Sequence, residues 1–196
     1  DRNGAVVAVG SIAEEGAAVL EIASPELWNT ENPYLYKLIL ETENEVIVDH
    51  IALRKIEIKD QVIYLNGQKI KFRGVNRHDS DPVTGFTISR EQIITDLTLM
   101  KQHNFNAIRS SHYPNVPFFY EMCDKYGFMV IDEADIEAHG PFMIYRKEDT
   151  DYNRFKRWNE KIADDPVWEE AIVDRLKLMV ERDKNRFCIV MGSMGS

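Results

Sequence analysis

Short apolar strands alternate with amphipathic helices over residues 59–191, and this alternation limits the possible folds more than any other feature. Ser89 predicts the cap of a first helix, and Pro117 predicts the start of a second that Gly127 ends. The predicted buried strands are residues 107–110, 128–131 and 188–191. Strands joined by crossover helices form a parallel sheet. Residues 59–196 therefore predict about four βα units, which is half of an eight-unit (β/α)8 TIM barrel.

Residues 1–58 have a different pattern, in which apolar and polar residues alternate with the period of half-buried strands. The predicted strands are residues 5–9, 18–22, 35–40 and 45–48. Short loops separate them, and no helical period is visible. This pattern predicts a partial antiparallel β-sandwich in a first domain, residues 1–58. A strong hairpin turn, Asn66-Gly67, follows between predicted strands at 62–65 and 70–72.

Composition narrows the functional classes. A net charge of −9 without a local basic cluster argues against nucleic acid as a partner. Every apolar run is shorter than the roughly 20 residues that a membrane span requires. The two cysteines, Cys123 and Cys188, lie in apolar or helical stretches and predict buried thiols. Together with the lack of a signal peptide at the first residues, this predicts a reduced, cytoplasmic setting.

Polar residues cluster where three of the predicted strands end, in residues 73–79, 109–114 and 132–140. The carboxyl ends of barrel strands form the active site of such folds, so these residues predict one. A structural interpretation stays open for each. A single histidine at a strand end is more often a hydrogen-bonded structural residue, and Arg73 or Arg109 could pair with Asp132 or Glu133 because buried charges need partners.

Glu137 and His139 are a more specific candidate for a site than the single residues at the strand ends. Two residues apart in an extended chain, their side chains point the same way. A carboxylate and an imidazole on one face can bind a divalent cation, although an ordinary surface pair is the alternative. Residues 142–164 are too aromatic for a simple linker and predict an ordered loop over the barrel mouth. The aromatic residues of this loop include Tyr145, Tyr152, Phe155 and Trp158.

The strand-end segments resemble the motifs of glycoside hydrolase family 2, and among its members those of the β-galactosidases. These segments are residues 73–78 (RGVNRH), 109–114 (RSSHYP) and 132–140 (DEADIEAHG). Residues 28–36 (WNTENPYLY) resemble the end of the family's immunoglobulin-like domain, and residues 181–186 (ERDKNR) resemble its approach to the fourth barrel strand. β-Glucuronidases share residues 111–114 but lack the other pairings.

The resemblance implies a role for each matching position. Glu137 and His139 match ligands of an active-site Mg²⁺, for which Mn²⁺ is the alternative. His78 and His112 match imidazoles that contact the galactosyl ring, and Arg109 matches a charged support beneath it. The implied reaction is retaining hydrolysis of terminal β-galactose from substrates such as lactose, with one Glu as acid/base and another as nucleophile.

Departures from the family motif imply that this chain alone is inactive. Gly192 stands where the family has Trp, and the acid/base Glu is expected just after Ser196, so no catalytic residue is assigned in the chain. A non-catalytic carbohydrate-binding or interaction module is the alternative, and the aromatic loop motivates it. A half barrel leaves strand edges open, which predicts self-association or pairing with the missing half.

Overall fold

The computed structural model describes residues 1–147, 150, 156, 157 and 159–195. Nine β-strands lie in these residues: β1 Tyr36–Glu41, β2 Val46–Ile51, β3 Ile56–Lys59, β4 Val62–Leu65, β5 Gln68–Lys69, β6 Gly74–Arg77, β7 Ala107–Ser110, β8 Met129–Glu133 and β9 Ile189–Ser193. The helices that bear on the site are α1 Arg90–Gln102, α2 Pro117–Tyr126, α3 His139–Tyr145 and α4 Glu169–Asp183, the last preceded by a 3₁₀ turn, Pro166–Trp168. No described helix is long and apolar enough to cross a bilayer.

The amino-terminal region contains one antiparallel hairpin, β1–β2, whose register pairs Tyr36 with Ile51. The strands predicted at residues 5–9 and 18–22 are wrong, because neither segment is in a strand. Most of these residues are exposed, and Val6 and Val19 are 78% and 89% accessible. Alternating residues form a strand only when a neighbouring backbone completes their hydrogen bonds and a second layer covers the apolar face.

The second sheet, β3–β4–β5, confirms the predicted hairpin turn. Asn66 and Gly67 both have positive φ, 51° and 77°, and connect β4 to β5 with Leu65 opposite Gln68. This is the two-residue turn that the right-handed twist of strands favours. The strand predicted at 70–72 is wrong. β5 ends at Lys69, and Ile70 and Phe72 pack half-buried against the core instead.

Four strands form a parallel sheet in the order β6–β7–β8–β9. The first of these strands, β6, begins at Gly74. Residues 74–77, which the sequence predicted to follow a strand, therefore form the strand itself. Gly74 is required there, because a Cβ atom would lie 2.2 Å from the carbonyl oxygen of Ala107. β8 and β9 pair with a bulge: Val130 faces Ile189, whereas Ile131 faces Met191.

Helices α1 and α2 follow the predicted signals. The Ser89 side chain accepts a hydrogen bond from the backbone N–H of Gln92, whose own side chain bonds back to Ser89 in a capping box. Pro117 opens α2, and Gly127 ends it with φ of 76° in the left-handed region. Ile93 and Leu97 of α1 are buried. These helices cover the parallel sheet.

The core lies between the parallel sheet and its helices, and Trp28 of the amino-terminal region belongs to it. The Trp28 ring is fully buried, and its Nε1–H donates to the carbonyl oxygen of Asp124 at 2.8 Å. Cys123 and Cys188 are free and buried, as predicted, and burial raises the pKa of each thiol. In α4, Met179 is buried, whereas Val180 is 51% exposed.

Candidate active site

The carboxyl ends of the parallel strands bring together the side chains that the motifs predicted. Arg109 lies at the end of β7, His112 follows that strand, and Glu133 ends β8. His78 follows β6, and its ring lies 5.4 Å from that of His112, edge to face. Because the strands run in parallel, residues far apart in sequence meet at one edge of the sheet.

Glu133 is the centre of this cluster. Its side chain is fully buried, and the two guanidinium bonds from Arg109 measure 2.6 Å from Nε to Oε2 and 2.9 Å from Nη2 to Oε1. His112 Nδ1 lies 2.6 Å from Oε1. The Ser193 hydroxyl of β9 donates to Oε2 at 2.8 Å. The structural interpretation allowed Arg109 to pair with Glu133, and this pair is present. Together, the bonds from Arg109 and Ser193 to Glu133 connect β7, β8 and β9.

Opposing effects act on the pKa of the Glu133 carboxyl. Burial raises it, since an ionised carboxylate loses its hydration. Hydrogen bonds from His112, Ser193 and Arg109 favour the charged form and outweigh burial, so the pKa lies below its usual value. Glu133 is therefore an ionised, fully hydrogen-bonded acceptor. Such a group can orient its neighbours, whereas a general acid must carry a proton to donate.

Glu137 and His139 lie at the margin of the cluster. Glu137 Oε1 accepts the backbone N–H of His139 at 2.8 Å, and Oε2 lies 3.5 Å from His112 Nδ1. The extended geometry assumed from the sequence is wrong: Ala138 between them has φ of −103° and ψ of 19°, and His139 begins α3. The His139 ring lies 5.6 Å from the ring of Phe142.

The donor chemistry for a metal is incomplete in the described residues. No group of three or more His, Cys, Asp or Glu side chains gathers there in a way that could hold a metal ion. Glu137 offers a hard carboxylate oxygen, which suits Mg²⁺, but Mg²⁺ requires about six oxygen ligands in octahedral geometry. Glu137 and His139 thus do not form a metal centre by themselves.

The buried guanidinium of Arg77 is the centre of a second polar network at the strand ends. Its guanidinium donates to Asp79 at 2.6 Å, to Asp96 at 3.0 Å and to Asn115 at 2.8 Å. The backbone N–H of Asp79 donates to the Tyr113 hydroxyl at 2.9 Å. This network ties the segment that carries His78 to the segment that carries His112. Arg73, by contrast, is exposed at the opposite end of β6 and takes no part in the cluster.

Two features of the site were not predicted from the sequence. Nothing in the sequence pattern marks Ser193 as part of the site, yet its hydroxyl donates to Glu133 across 60 residues of sequence. Asn76 accepts a hydrogen bond from Arg109 Nη1 at 3.2 Å. Neither residue type has a pattern that marks such a contact. The predicted polar segment 73–79 includes Asn76, and it indicated the position of this residue but not its partner.

Part of the aromatic loop, including Tyr152, Phe155 and Trp158, lies outside the described residues. Of its predicted members Tyr145 can be placed, at the end of α3. The Arg157 guanidinium lies 4.9 Å from the centre of its ring and the Lys161 ammonium 5.9 Å. Two cationic side chains therefore lie near the Tyr145 ring, in the space that a sugar stacked on this ring would need.

Comparison with known protein families identifies the family to which this chain belongs. The family model described as "Glycosyl hydrolases family 2, TIM barrel domain" matches residues 56–196, and the model "Glycosyl hydrolases family 2" matches residues 2–55. The chain belongs to glycosyl hydrolase family 2. The predicted β plus α/β architecture with a partial TIM barrel is confirmed at this level, and the motif resemblance at residues 73–78, 109–114 and 132–140 is confirmed with it.

Similar proteins of this family include two β-galactosidases. A β-galactosidase of Actinobacillus pleuropneumoniae is 48% identical over 192 residues, covering 90% of this chain and 19% of the relative. A β-galactosidase of Staphylococcus xylosus is 44% identical over 189 residues, covering 96% of this chain and 18% of the relative. The chain thus spans less than a fifth of the length of these enzymes.

Solved structures show the same fold. A β-D-glucuronidase of Dictyoglomus thermophilum superposes with a TM-score of 0.75 at 27% identity, covering 89% of this chain and 29% of that one. A β-glucuronidase of Bifidobacterium dentium superposes with a TM-score of 0.78 at 24% identity, covering 99% of this chain and 30% of that one. At such identity the second likeness speaks for the fold alone.

Proposed function

We propose that this chain is the part of a β-galactosidase that builds the first side of a sugar-binding site, for retaining hydrolysis of terminal β-galactose. The carrying observation is the cluster of His78, Arg109, His112 and Glu133 at the carboxyl ends of three parallel strands. Relatives at 38–48% identity, all named β-galactosidase, support the substrate class. By itself the chain is proposed to be inactive, because neither the acid/base nor the nucleophilic glutamate is assigned among its residues and Glu133 has every acceptor direction occupied.

The proposed roles follow from what each side chain presents. His78 and His112 have imidazole rings within contact distance of each other and partly open to solvent, so their nitrogens can meet sugar hydroxyls. Arg109 is held flat by two bonds to Glu133 and keeps its positive charge near the site. A β-galactoside such as lactose is the proposed substrate. The acid/base and nucleophilic carboxylates would come from elsewhere in the complete enzyme.

The proposal extends to Mg²⁺, with Mn²⁺ as the alternative. Glu137 would supply one oxygen ligand and His139 a second group, and further ligands would have to join them. A divalent cation at this margin would supply positive charge beside the reacting carboxylates. The amino-terminal region is proposed to be part of an immunoglobulin-like domain, and the four-stranded parallel sheet to be the first half of the barrel. A cytoplasmic location is proposed on the two free thiols.

Open strand edges support a proposed tendency to self-associate or to pair with the remaining barrel strands. β6 and β9 each pair on one side only within the described sheet. Some apolar side chains of the helices are also exposed, including Ile144 of α3 and Leu178 of α4, which are 70% and 62% accessible. Unpaired edges and apolar patches favour association. Sedimentation of the chain should show species larger than a monomer; a stable monomer at micromolar concentration would contradict this part of the proposal.

A graft tests the proposed activity directly. Residues 2–191 of this chain replace the corresponding segment of the Actinobacillus pleuropneumoniae enzyme, whose own sequence resumes at the fourth strand. The graft should hydrolyse a chromogenic β-galactoside in the presence of Mg²⁺, lose activity with EDTA, and leave the matching β-glucuronide intact. The isolated 196-residue chain should hydrolyse neither. A graft that prefers the glucuronide, or that turns over neither glycoside, would show the assignment to be wrong.

Matched histidine variants give the graft experiment its control. His112→Ala should lower kcat/KM at least about 100-fold, the size of effect typical for removal of one transition-state contact. His103→Ala should leave kcat/KM within about twofold, because His103 is exposed at the end of α1, away from the site. Equal losses in the two variants would indicate that the substitutions act on folding rather than on substrate contact.

A further inference from the structure

We propose that Glu133 is a positioning residue that fixes the hydrogen-bonding form of His112, so that His112 presents a bare Nε2 to a sugar hydroxyl. This inference rests on the proposed function. It assigns Glu133 neither to the metal nor to proton transfer. The observations that carry it are the complete occupation of the carboxylate and the identity of each donor that surrounds it.

The Glu133 carboxylate is saturated. An ionised carboxylate offers about four lone-pair directions, two on each oxygen. Oε1 receives His112 Nδ1 and Arg109 Nη2, and Oε2 receives Arg109 Nε and the Ser193 hydroxyl. The side chain is buried completely, so solvent or a sugar cannot add a fifth partner. A group with no free lone pair cannot bind a metal ion or take a proton from substrate without first releasing one of these residues.

The form of the His112 ring follows from these contacts. Nδ1 lies 2.6 Å from a carboxylate oxygen, which can only accept, so Nδ1 carries the hydrogen. The Arg109 guanidinium, 3.4 Å from the same nitrogen, has donors only and cannot take that hydrogen instead. In the neutral ring the second nitrogen, Nε2, is then an acceptor. A galactoside hydroxyl would donate to His112, and an analogue lacking that hydroxyl would leave Nε2 unpaired.

Ser193 and Arg109 make the arrangement specific to the assembled sheet. Ser193 comes from β9 and Arg109 from β7, and both bond to a side chain at the end of β8. Glu133 therefore receives its full set of donors only when all three strands are in register. The backbone N–H of Glu133 also donates to the Ser110 hydroxyl at 2.9 Å, which fixes the residue along the strand direction.

Nitrogen-15 NMR of the imidazole rings in the full 196-residue chain tests the inference. At a pH where the rings are neutral, long-range proton–nitrogen correlations distinguish a ring protonated at Nδ1 from one protonated at Nε2. His112 should be in the Nδ1–H form. The Glu133→Gln variant, which keeps the side-chain volume, should shift His112 measurably towards the Nε2–H form. His112 in the Nε2–H form in the unsubstituted chain would overturn the inference without reference to any variant.

Two controls separate positioning from folding and from the proposed activity. Ser193→Ala removes one donor but leaves Oε1 bonded to His112, so the His112 ring should keep its Nδ1–H form. If Ser193→Ala changes the form as much as Glu133→Gln does, general loosening explains both and the inference fails. The NMR result does not depend on turnover. An Nδ1–H ring combined with an inactive graft would defeat the proposed function alone, and an Nε2–H ring with an active graft would defeat the positioning role alone.

Discussion

The β1–β2 hairpin and the parallel sheet consist of similarly apolar strands, yet only the parallel sheet has a core. Val46, Ile47 and Val48 of β2 are 61%, 46% and 50% accessible. In β8, by contrast, four of the five residues are buried, including two carboxylates. Helices α1 and α2 cover the parallel sheet, whereas no described element covers the hairpin to the same extent.

The difference shows that burial depends on a second layer rather than on strand composition. An apolar strand stabilises a fold only by the area it removes from water, at about 25 cal/mol per Å². The covered sheet can therefore hold Asp132 and Glu133 away from solvent with their partners in place, as a site requires. The uncovered hairpin offers no comparable environment.

Trp28 offers the largest expected effect, because it is the largest side chain that the amino-terminal region contributes to the core of the covered sheet. Trp28→Ala should lower the free energy of unfolding by about 3–5 kcal/mol, through lost burial and an unfilled cavity. Ile47→Ala in the hairpin should cost less than about 0.5 kcal/mol. Urea unfolding measures both. Equal costs would remove the contrast between the two sheets.

Asp124 offers the next effect, which appears as a dependence on pH. Burial raises its pKa to about 6, from a usual value of 3.8, although the backbone N–H of Cys188 donates to the carboxylate at 2.6 Å. The unfolded chain releases this proton at lower pH than the folded chain does. Stability therefore falls as pH rises from about 4 to 6, by about 2–3 kcal/mol from this group.

Asp124→Asn tests this dependence, because an amide oxygen can still accept from Cys188 but does not titrate. Between pH 4 and pH 7 the variant should lack the part of the decline that Asp124 causes, as measured by urea unfolding at each pH. Asp174→Asn, at an exposed position of α4, should follow the unsubstituted chain throughout. If the Asp124 variant and the unsubstituted chain decline in parallel, the buried environment inferred for the covered sheet is wrong at this position.

Ser89 offers the smallest effect and concerns the layer that covers the sheet. Ser89→Ala removes the cap of α1 and should lower the free energy of unfolding by about 1 kcal/mol. Ser89→Asp keeps an oxygen acceptor and should restore most of the loss. Ser80→Ala, at an exposed loop position, serves as the control. Thermal unfolding of the three variants is sufficient, and no difference between Ser80→Ala and Ser89→Ala would contradict the prediction.

Local signals account for what the sequence could predict. Pro117 and Gly127 mark the ends of α2 because one residue lacks an N–H and the other tolerates positive φ, and both effects act within a single turn. The turn at Asn66 and Gly67 was predictable for the same reason. The strand expected at residues 5–9 failed because its formation depends on a neighbour that the pattern does not specify.

The contacts of the site likewise divide into those that the sequence predicted and those that it did not. The motifs predicted that His78, Arg109 and His112 would meet, since parallel strands bring their carboxyl ends to one edge. The sequence allowed a pair between Arg109 and Glu133, but it did not predict that Glu133 would also bond to His112 or that the Ser193 hydroxyl would complete its set of donors. The Ser193 contact depends on the register between β8 and β9, which includes a bulge that no local pattern in the chain indicates.

That bulge determines which residues of β9 lie opposite the last residues of β8. Because Val130 pairs with Ile189 and Ile131 with Met191, Val190 has no partner of its own. If Val190 instead paired with Ile131 in a regular ladder, every later residue of β9 would shift by one position, and Gly192 rather than Ser193 would stand opposite Glu133. A glycine has no hydroxyl to give. One unpaired valine thus sets which chemical group reaches the buried carboxylate.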